Sequence, residues 1–544
     1  MRLRLTVSLA ACSIAVLSVL AVAAPDHADA KDAHKRVVTA TPIKHLVVIY
    51  QENVSFDHYF GTYPNAVNTP GEPAFHAKPG TPKVNGLTKE LLTNNPNARN
   101  AANGKGAINP FRLSRAQAAT ADQDHDYMAE QQAFNNGAMD LFPKYTGSGE
   151  PLPGGTPEQN SSGQVMGYYD GNTVTALWHY AQHFAMSANS YGTTFGPSTP
   201  GAINLIAGQT NGVSEQLAAA ADVVADGQGG YTLIGDADPI DDVCSPSSGS
   251  RVRLSGKNVG DMLSAKGITW GFFEGGFDLT AVNANGTTGC KRSTTSAVTQ
   301  VTKLDYIPHH QPFQYYASTA NPTHARPSSV AMIGHNGDAA KHQYDINDFY
   351  AAVEAGNMPA VSFLKAPGYQ DGHAGYSDPL DEQQFVVHVI NMLQKRPEWR
   401  DTAVVIAYDD SDGWYDHQAA PQVNASHSSL DALNAPGVCN GRDTLRGVNT
   451  TRPVQGRCGY GPRLPLLVIS PWARTNYVDH SLTDQSSILR FIEDNWLKRQ
   501  RVGSGSFDAV AGSIESMLDF KQTHTADRHV MLDEQTGEVV ETSH

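Results

Sequence analysis

The sequence predicts an α/β protein with a mostly parallel, twisted sheet that carries helices on both faces. Its clearest strands are three short apolar runs, at residues 46–50, 402–408 and 465–470, whose length and composition are typical of strands buried on both faces. Segments with helical periodicity lie between these runs. Strands that alternate with helices imply βαβ units, whose strands run parallel and whose helices cover the sheet.

The helices are predicted from the spacing of apolar residues. In the segment 173–185, Leu177 and Ala181 recur at the interval that places them on one side of a helix. The segment 484–499 shows the same pattern, and Thr483 is its candidate N-cap. The remaining predicted elements are helices at 128–135, 202–207, 258–266, 345–355 and 381–395, and strands at 268–273 and 359–364.

Residues 1–30 form a separate segment. Two arginines precede an apolar run at 5–24, and residues 28–30 (Ala-Asp-Ala) offer a small-residue cleavage site. This combination is typical of a secretory signal peptide, and a transmembrane anchor is the alternative. We therefore expect an exported protein, periplasmic or secreted, in which residues 31–544 form a single domain with loop insertions.

The charge balance limits the partners. The chain of 544 residues has a formal net charge of −15. An acidic surface argues against nucleic acid or an anionic membrane as the main partner, but a small anionic substrate can still meet a locally positive site. Beyond the signal segment, no apolar stretch of the sequence is long enough to span a bilayer, so we expect no stable membrane anchor. The oligomeric state is left open.

Four of the five cysteines remain once Cys12 is removed with the signal peptide. Cys244 and Cys290 flank one loop-rich region, and Cys439 and Cys458 flank another. In an oxidising compartment, two local disulfides are the expected arrangement. A zinc site is the alternative, although no Cys-x-x-Cys spacing supports it.

Polar clusters follow two of the buried strands. Glu52 and Asn53 come directly after the first strand, and Asp409 and Asp410 follow the strand that resembles it later in the chain. In open α/β sheets, ligands bind at the carboxyl edge of the strands. Adjacent carboxylates after an apolar strand are costly unless a positive charge lies between them, and a bound cation would supply it. A polar turn and a hydrated surface pair are the alternatives.

Ser198 lies in a Gly/Pro-rich turn just before the helix that we expect to start near Gly201. Backbone amides and the helix dipole favour an anion at such a position. The serine is either an N-cap or, given the carboxylate clusters, a nucleophile that a metal or a base would ionise.

Four histidines lie in loops rich in Gly, Pro and Asp, of the kind that build a ligand-binding edge. They are His125, His309, His310 and His373. Singly, each is more often structural than catalytic. Together with the other residues they suggest in-line attack of a serine on phosphorus, with histidines and Asn53 stabilising the phosphoryl oxygens and a histidine protonating the leaving group. An all-oxygen ligand set for one divalent metal of unknown identity would come from Glu52, Asn53, Ser198, Asp409 and Asp410.

Six motifs follow one another along the chain: QENVSFDHYFG, DQDHDYMAEQQAFNNGAMD, MGYYDGNTVTALWHYA, FGPSTPGAINLIAG, YDDSDGWYDH and GPRLPLLVISPWARTNYVDHSLTDQSSILRFIEDNW. Together they resemble the bacterial phosphoesterase family, which contains phospholipases C and acid phosphatases related to alkaline phosphatase. The resemblance implies the alkaline-phosphatase-like fold, phosphoester hydrolysis and an active-site metal. It also implies that Ser198 is both metal ligand and nucleophile, that the other ligands are Glu52, Asn53, Asp409 and Asp410, and that His125, His309, His310 and His373 line the phosphate pocket.

Four departures from the family pattern favour its acid phosphatase branch. Val54 replaces the usual Arg of the first motif, and the turn at Ser198 reads GPSTPG where the phospholipase branch tends towards GPTHPNR. The aspartate pair stands where that branch often has Asp-Glu. The chain also ends soon after its last helix, without the C-terminal β domains that are typical of long phospholipases C.

The sequence therefore predicts a secreted, metal-dependent acid phosphatase that hydrolyses phosphate monoesters through a phosphoserine intermediate. The alternative among enzymes is a phospholipase C that cleaves phospholipid phosphodiesters. Outside enzymes, the alternative is a non-catalytic surface binding protein on the same fold.

Overall fold

Eight strands form the central sheet of the computed structural model, which describes residues 38–147, 149–441, 445, 453–521 and 528–543. In chain order they are β1 His45–Gln51, β2 Ala185–Ser187, β3 Trp270–Glu274, β4 Gln343–Asp345, β5 Val361–Lys365, β6 Thr402–Tyr408, β7 Leu466–Ile469 and β8 Tyr477–Asp479. Their order across the sheet is β4-β3-β5-β1-β6-β7-β2-β8. Only the pairs that include β7 are antiparallel, so the sheet is mostly parallel.

The α-helices of the described residues lie between or after these strands along the chain, and six of them lie between β1 and β2. They are α1 Phe56–Phe60, α2 Lys89–Thr93, α3 Pro96–Arg99, α4 Tyr127–Phe134, α5 Phe142–Tyr145, α6 Thr175–His183, α7 Ser198–Ala207, α8 Val259–Lys266, α9 Ile346–Glu354, α10 Pro379–Gln394 and α11 Ser486–Trp496. A buried apolar cluster that includes residues from Ile43 to Leu532 joins the sheet to these helices.

Two tyrosines show that helices cover both faces of the sheet. Tyr50 at the end of β1 donates a hydrogen bond to Gly201 O in α7 (2.9 Å), and Tyr408 at the end of β6 donates one to Glu382 in α10 (2.5 Å). In the β1–β6 register Tyr50 pairs with Ala407, the neighbour of Tyr408, so the two tyrosine side chains point to opposite faces. The predicted α/β class, with a mostly parallel sheet and helices on both faces, is confirmed.

The predicted strands are present as β1, β3, β5, β6 and β7, and each predicted helix is present with small shifts at its ends. The strands β2, β4 and β8 were not predicted, because three residues are too few to show a pattern.

Two predicted helix starts are wrong. The helix α7 begins at Ser198, not near Gly201, because its first turn accepts Pro200, whose missing N–H would have no partner there. Thr483 is not the cap of α11. It lies in a two-residue strand, and Asp484 instead accepts a hydrogen bond from the Ser486 amide at the start of the helix.

A second, five-stranded sheet lies between α7 and α8 in the chain. Its strands, in spatial order, are Val223–Ala225, Tyr231–Leu233, Asn211–Leu217, Arg251–Leu254 and Asp238–Pro239. This insertion contributes to the candidate site. Asp238 contacts His309 of the predicted histidine pair, and Asp236 accepts a hydrogen bond from the Thr199 amide, next to Ser198.

The two predicted disulfides, Cys244–Cys290 and Cys439–Cys458, are present. The signal peptide predicted for residues 1–30 lies outside the described residues. Within the part of the chain that the structure describes, no helix is both long enough and apolar enough to cross a membrane.

Candidate active site

The carboxyl ends of β1 and β6 bring together side chains that are far apart in the sequence. The two strands are neighbours, and their last residues pair with each other. Glu52 and Asn53 therefore lie beside Asp409 and Asp410, and all four residues are buried. The carboxylates of Glu52, Asp409 and Asp410 each offer one oxygen within 4.8 Å of the others. This is the arrangement that the sequence predicted for the sheet edge.

The hydroxyl of Ser198, at the start of α7, points into this cluster. Its Oγ lies 2.9 Å from Glu52 Oε2, 3.2 Å from Asp410 Oδ2 and 3.5 Å from Asn53 Oδ1. A hydroxyl has a single proton, so it donates to one acceptor and faces the others oxygen to oxygen. Buried oxygens that converge in this way fit a divalent cation, which prefers oxygen ligands.

The carboxylate pKa values also fit a cation at this position. Burial and the charge of Glu52 raise the pKa of Asp409 well above its usual range, and burial raises that of Asp410 to about 7. Burial also raises the pKa of Glu52, but its electrostatic interactions with His310 and Lys365 outweigh burial and hold the pKa well below its usual range. A positive charge near the two aspartates would favour their ionised forms.

The backbone at the end of β1 holds this cluster in place. Asn53 has a φ of 40°, in the left-handed region that asparagine tolerates better than most residues, so the chain turns sharply there. The amide of Glu52 donates to Asp371 O (2.8 Å), and the amide of Val54 donates to Asp410 O (3.1 Å). The loop after β1 is therefore tied directly to the loop after β6.

Lys365 is a site residue that the sequence analysis missed. It is the last residue of β5, which lies beside β1, and its ammonium contacts Glu52 Oε1 and lies 3.3 Å from Asp409 Oδ2. Burial lowers its pKa, but Asp409 and Glu52 raise it more, so the pKa lies above its ordinary value and the side chain stays charged. The sequence feature that could have indicated Lys365 is a charged residue at the end of an apolar strand.

The histidine pair differs in protonation. His309 Nδ1 donates to Asp238 Oδ1 (3.2 Å), and His310 Nε2 lies 3.3 Å from Glu52 Oε1. Burial lowers the pKa of His309, but the hydrogen bond to Asp238 and the charge of Asp236 outweigh it and leave the pKa above its ordinary value. Burial dominates at His310 and holds its pKa well below that value. One ring of the pair therefore favours the charged form and the other the neutral form.

The other two predicted histidines lie next to each other, with ring centroids 5.8 Å apart. His125 Nε2 lies 3.4 Å from the Asn53 amide nitrogen. Burial lowers the pKa of His125, but the charges of Asp410 and Asp412 raise it more. Its pKa is therefore well above the ordinary value. His373 Nδ1 donates to Ala374 O (2.6 Å), and burial lowers the pKa of this ring. His373 thus favours a neutral form whose Nε2 carries a lone pair.

A cavity of about 410 Å³ opens over Ser198. The residues that line it include Ser198, His125, His309, His310, His373 and Lys303. A larger cavity, of about 1070 Å³, lies between α4 and the strand Val223–Ala225 and contains none of the predicted site residues. We take the smaller cavity as the substrate pocket because the predicted nucleophile opens into it.

Glu130 in α4 is a second residue that the sequence analysis missed. Its buried carboxyl group accepts hydrogen bonds from the Gly196 amide (3.0 Å) and from Ser411 Oγ (2.7 Å). It therefore joins the turn that carries Ser198 to the loop that carries Asp410. Burial raises the pKa of Glu130 to about 8. Nothing in the helical pattern around Glu130 indicated this role.

The structure thus brings all nine predicted site residues to one place. Oxygens of the five candidate metal ligands converge at the sheet edge, and the four histidines line the pocket into which Ser198 opens. Their catalytic and binding roles remain predictions.

Fold and site define an α/β protein with a serine set among carboxylates at the carboxyl edge of a parallel sheet, beneath a pocket lined by histidines. The chain belongs to the Phosphoesterase family, whose family model matches residues 43–497.

Curated relatives carry phospholipase names. The chain is 24% identical over 499 residues to the non-hemolytic phospholipase C of Pseudomonas aeruginosa. The match covers 90% of this chain and 59% of the relative. It is 23% identical over 499 residues to phospholipase C B of Mycobacterium tuberculosis, and this match covers 88% of this chain and 78% of the relative. Non-specific phospholipase C6 of Arabidopsis thaliana is 23% identical over 454 residues, with 80% and 63% covered. The chain spans about three fifths of the length of its Pseudomonas and Burkholderia relatives.

Among solved structures, the chain is similar to murine ectonucleotide pyrophosphatase/phosphodiesterase 5. The TM-score is 0.30 at 10% identity, and the match covers 64% of this chain and 95% of the other.

Proposed function

We propose that this protein is a metal-dependent phosphoester hydrolase that acts through phosphorylation of Ser198. The observation that carries the proposal is the position of Ser198 Oγ, within 3.5 Å of acceptor oxygens of Glu52, Asn53 and Asp410 and open to the histidine-lined pocket. Membership of the Phosphoesterase family supports the same chemistry.

The metal ligands in this proposal are the residues with converging oxygens: Glu52, Asn53, Ser198, Asp409 and Asp410. These donors are all oxygen atoms, which suits a hard or borderline divalent metal. When bound, such an ion would lower the pKa of the serine hydroxyl and offset negative charge on the phosphoryl group.

In the first step, Ser198 Oγ attacks phosphorus in line with the ester oxygen. The Oγ–P bond forms as the P–O bond to the leaving group breaks, and the serine proton passes to Asp410 Oδ2, which lies 3.2 Å from Oγ and whose pKa is raised to about 7. The leaving oxygen takes a proton from His309. This ring suits the role because Asp238 keeps it charged and because it lines the pocket.

In the second step, water hydrolyses the phosphoserine. A water oxygen bonds to phosphorus as the Oγ–P bond breaks, Ser198 recovers its proton from Asp410, and His373 Nε2 accepts the proton that the water loses. His373 suits this role because its pKa is lowered and its Nδ1 is held by a carbonyl oxygen. Histidines with opposite pKa shifts commonly divide acid and base work in this way.

Charge on the phosphoryl oxygens is met by cationic groups around the pocket. His125 and His309 favour their charged forms, and Lys303 lines the same cavity. The Asn53 amide can donate to a phosphoryl oxygen without adding charge. The pocket is therefore locally positive within an acidic protein, as an anionic substrate requires.

For the substrate class, the curated relatives favour a phospholipid phosphodiester, since those named above are phospholipases C. We therefore place phospholipase C activity first. A phosphate monoester is the second candidate, because the chain has serine at position 198 and aspartate at position 410, where the resemblance to the phospholipase branch leads us to expect Thr and Glu.

We further propose that the protein is exported. The disulfides Cys244–Cys290 and Cys439–Cys458 support this location, because structural disulfides persist in oxidising compartments.

Hydrolysis assays test the proposal and rank the two substrate classes. Purified protein is compared on phosphatidylcholine vesicles and on a small phosphomonoester, together with Ser198→Ala and the exposed control Ser161→Ala. We expect hydrolysis by the wild type and the control and none by Ser198→Ala. Faster turnover of the lipid supports a phospholipase C, and faster turnover of the monoester supports a phosphatase. No hydrolysis of either substrate by metal-loaded wild type would contradict the proposal.

A further inference from the structure

The ammonium group of Lys365 fills one side of the carboxylate cluster. Lys365 is 1% exposed, and it reaches the cluster from the end of β5. Its Nζ contacts Glu52 Oε1 and lies 3.3 Å from Asp409 Oδ2. The buried carboxyl groups of Asp371 and Glu274 are also close enough to interact with it electrostatically. The ammonium group of Lys365 therefore interacts with several acidic groups on the β5 side of the cluster.

The oxygens of Glu52 and Asp409 are divided between two sides. Glu52 Oε1 is taken by Lys365 and His310, whereas Oε2 faces Ser198. Asp409 Oδ2 faces Lys365, while its Oδ1 accepts the amide of Asp410 at 2.9 Å. Glu52 Oε2 and Asp410 Oδ2 therefore face the serine, whereas the lysine lies against Glu52 Oε1 and Asp409 Oδ2.

Charge counting gives the same division. When ionised, Glu52, Asp409 and Asp410 carry three negative charges within one buried cluster. The ammonium offsets one of them, and a single divalent ion offsets the other two. Two divalent ions together with the ammonium would bring five positive charges to three negative ones in a buried site, which is costly.

We propose that Lys365 occupies the place of a second metal ion and limits this cluster to one divalent cation. The inference rests on the metal site of the proposed function and makes Lys365 a positioning residue, since it acts through Glu52 and Asp409. Without the ammonium, oxygens of Glu52 and Asp409 become available on the β5 side. A second divalent ion can then bind at the spacing of two-metal sites, about 4 Å.

The test counts Mn²⁺ ions bound to the full chain and asks whether they are coupled. Metal-free wild type and Lys365→Met are saturated with Mn²⁺, dialysed and analysed for metal content and by electron paramagnetic resonance. We expect one uncoupled ion per chain in the wild type. In Lys365→Met we expect a doubling to two ions, whose spectrum shows the spin coupling of a close pair.

Lys303→Met is the matched control. Lys303 lines the same pocket, but its Nζ lies over the Tyr376 ring, 3.7 Å from the centroid, and not on the carboxylates. We expect this variant to bind one ion. If Lys365→Met does not fold, Lys365→Gln removes the charge and keeps a hydrogen-bond donor, and the two-ion result is expected there.

The outcomes separate this inference from the proposed function. A folded Lys365→Met or Lys365→Gln that binds one ion or none overturns the inference, and so does a coupled pair in the wild type. A wild type that binds no ion contradicts instead the metal site on which the inference rests. Two ions in Lys303→Met would show that any loss of positive charge admits the second ion, which also overturns the specific role of Lys365.

Discussion

Ser198 Oγ and Glu52 Oε2 lie 2.9 Å apart, although the two residues are 146 positions apart in the chain. The contact exists because α7 begins at the serine and because Glu52 follows the end of β1. It places the proposed nucleophile beside a carboxylate whose low pKa keeps it ionised, so that its oxygen can accept the serine hydrogen bond and bind a metal.

Metal removal should abolish activity and lower stability. Chelation should stop hydrolysis, and a divalent metal should restore it, because the oxygens around Ser198 are the proposed ligands. At a metal concentration about 100 times the Kd, binding adds about 2.7 kcal/mol to the free energy of unfolding. Asp410→Asn should lose this metal-dependent stabilisation, whereas Asp401→Asn, at a partly exposed aspartate paired with Arg400, should keep it. Thermal unfolding with and without metal is the measurement, and equal metal responses in the two variants would contradict the ligand assignment.

His309→Asn should reduce hydrolysis by about 10²- to 10⁴-fold for esters whose leaving group is an alkoxide, because the leaving oxygen then receives no proton. The loss should be much smaller for p-nitrophenyl esters, whose leaving group is stable without a proton. Steady-state rates on both ester types check this, with the exposed His480→Asn as control. An equal loss on both would show that His309 is not the proton donor.

Asp238→Asn should move the alkaline limb of the pH profile to lower pH. Activity needs charged His309, so kcat/KM falls as the pH rises through the pKa of that ring. Asp238 raises this pKa, and its removal lowers it, so the fall begins at lower pH. Asp241→Asn, at an aspartate that pairs with Arg253, should leave the limb in place. If the alkaline limb is unchanged in both variants, titration of His309 is not the cause of the pH dependence.

Glu130→Ala should weaken both stability and catalysis. It leaves the Gly196 amide and Ser411 Oγ buried without their acceptor, which costs about 2 to 4 kcal/mol of unfolding free energy. Because these groups position the serine turn and the Asp410 loop, kcat should fall about 10- to 100-fold with little change in KM. Denaturant unfolding and kinetics check this against the exposed control Glu158→Ala. A stability loss with unchanged kcat would reduce Glu130 to a structural role.

The carboxylates predicted from sequence were those that directly follow long apolar strands. Glu52 and Asp409 stood out because β1 and β6 are continuous apolar runs whose ends are unambiguous. Lys365 ends a strand in the same way, but a single lysine carries no motif and its partners depend on β5 lying next to β1, which no local pattern states.

Glu130 could not be predicted because its role depends on tertiary packing. Its position in α4 is ordinary for a helix, and only the approach of two distant loops makes its carboxyl group a link between them. The start of α7 was misplaced for a local reason. Gly196, Pro197 and Pro200 together indicate a turn, although the first turn of a helix tolerates proline.

The central claim is that Ser198 becomes phosphorylated, and trapping the intermediate tests it most directly. Metal-loaded wild type, Ser198→Ala and Ser161→Ala are mixed with excess substrate and quenched in acid, and the digested peptides are weighed by mass spectrometry. We predict that the peptide containing Ser198 gains one adduct in the wild type and in Ser161→Ala, and that Ser198→Ala gains none. The adduct has the mass of phosphocholine when the substrate is phosphatidylcholine, and of a phosphoryl group when it is a monoester. An unmodified Ser198 peptide during rapid turnover, or hydrolysis by Ser198→Ala at the wild-type rate, would contradict the account.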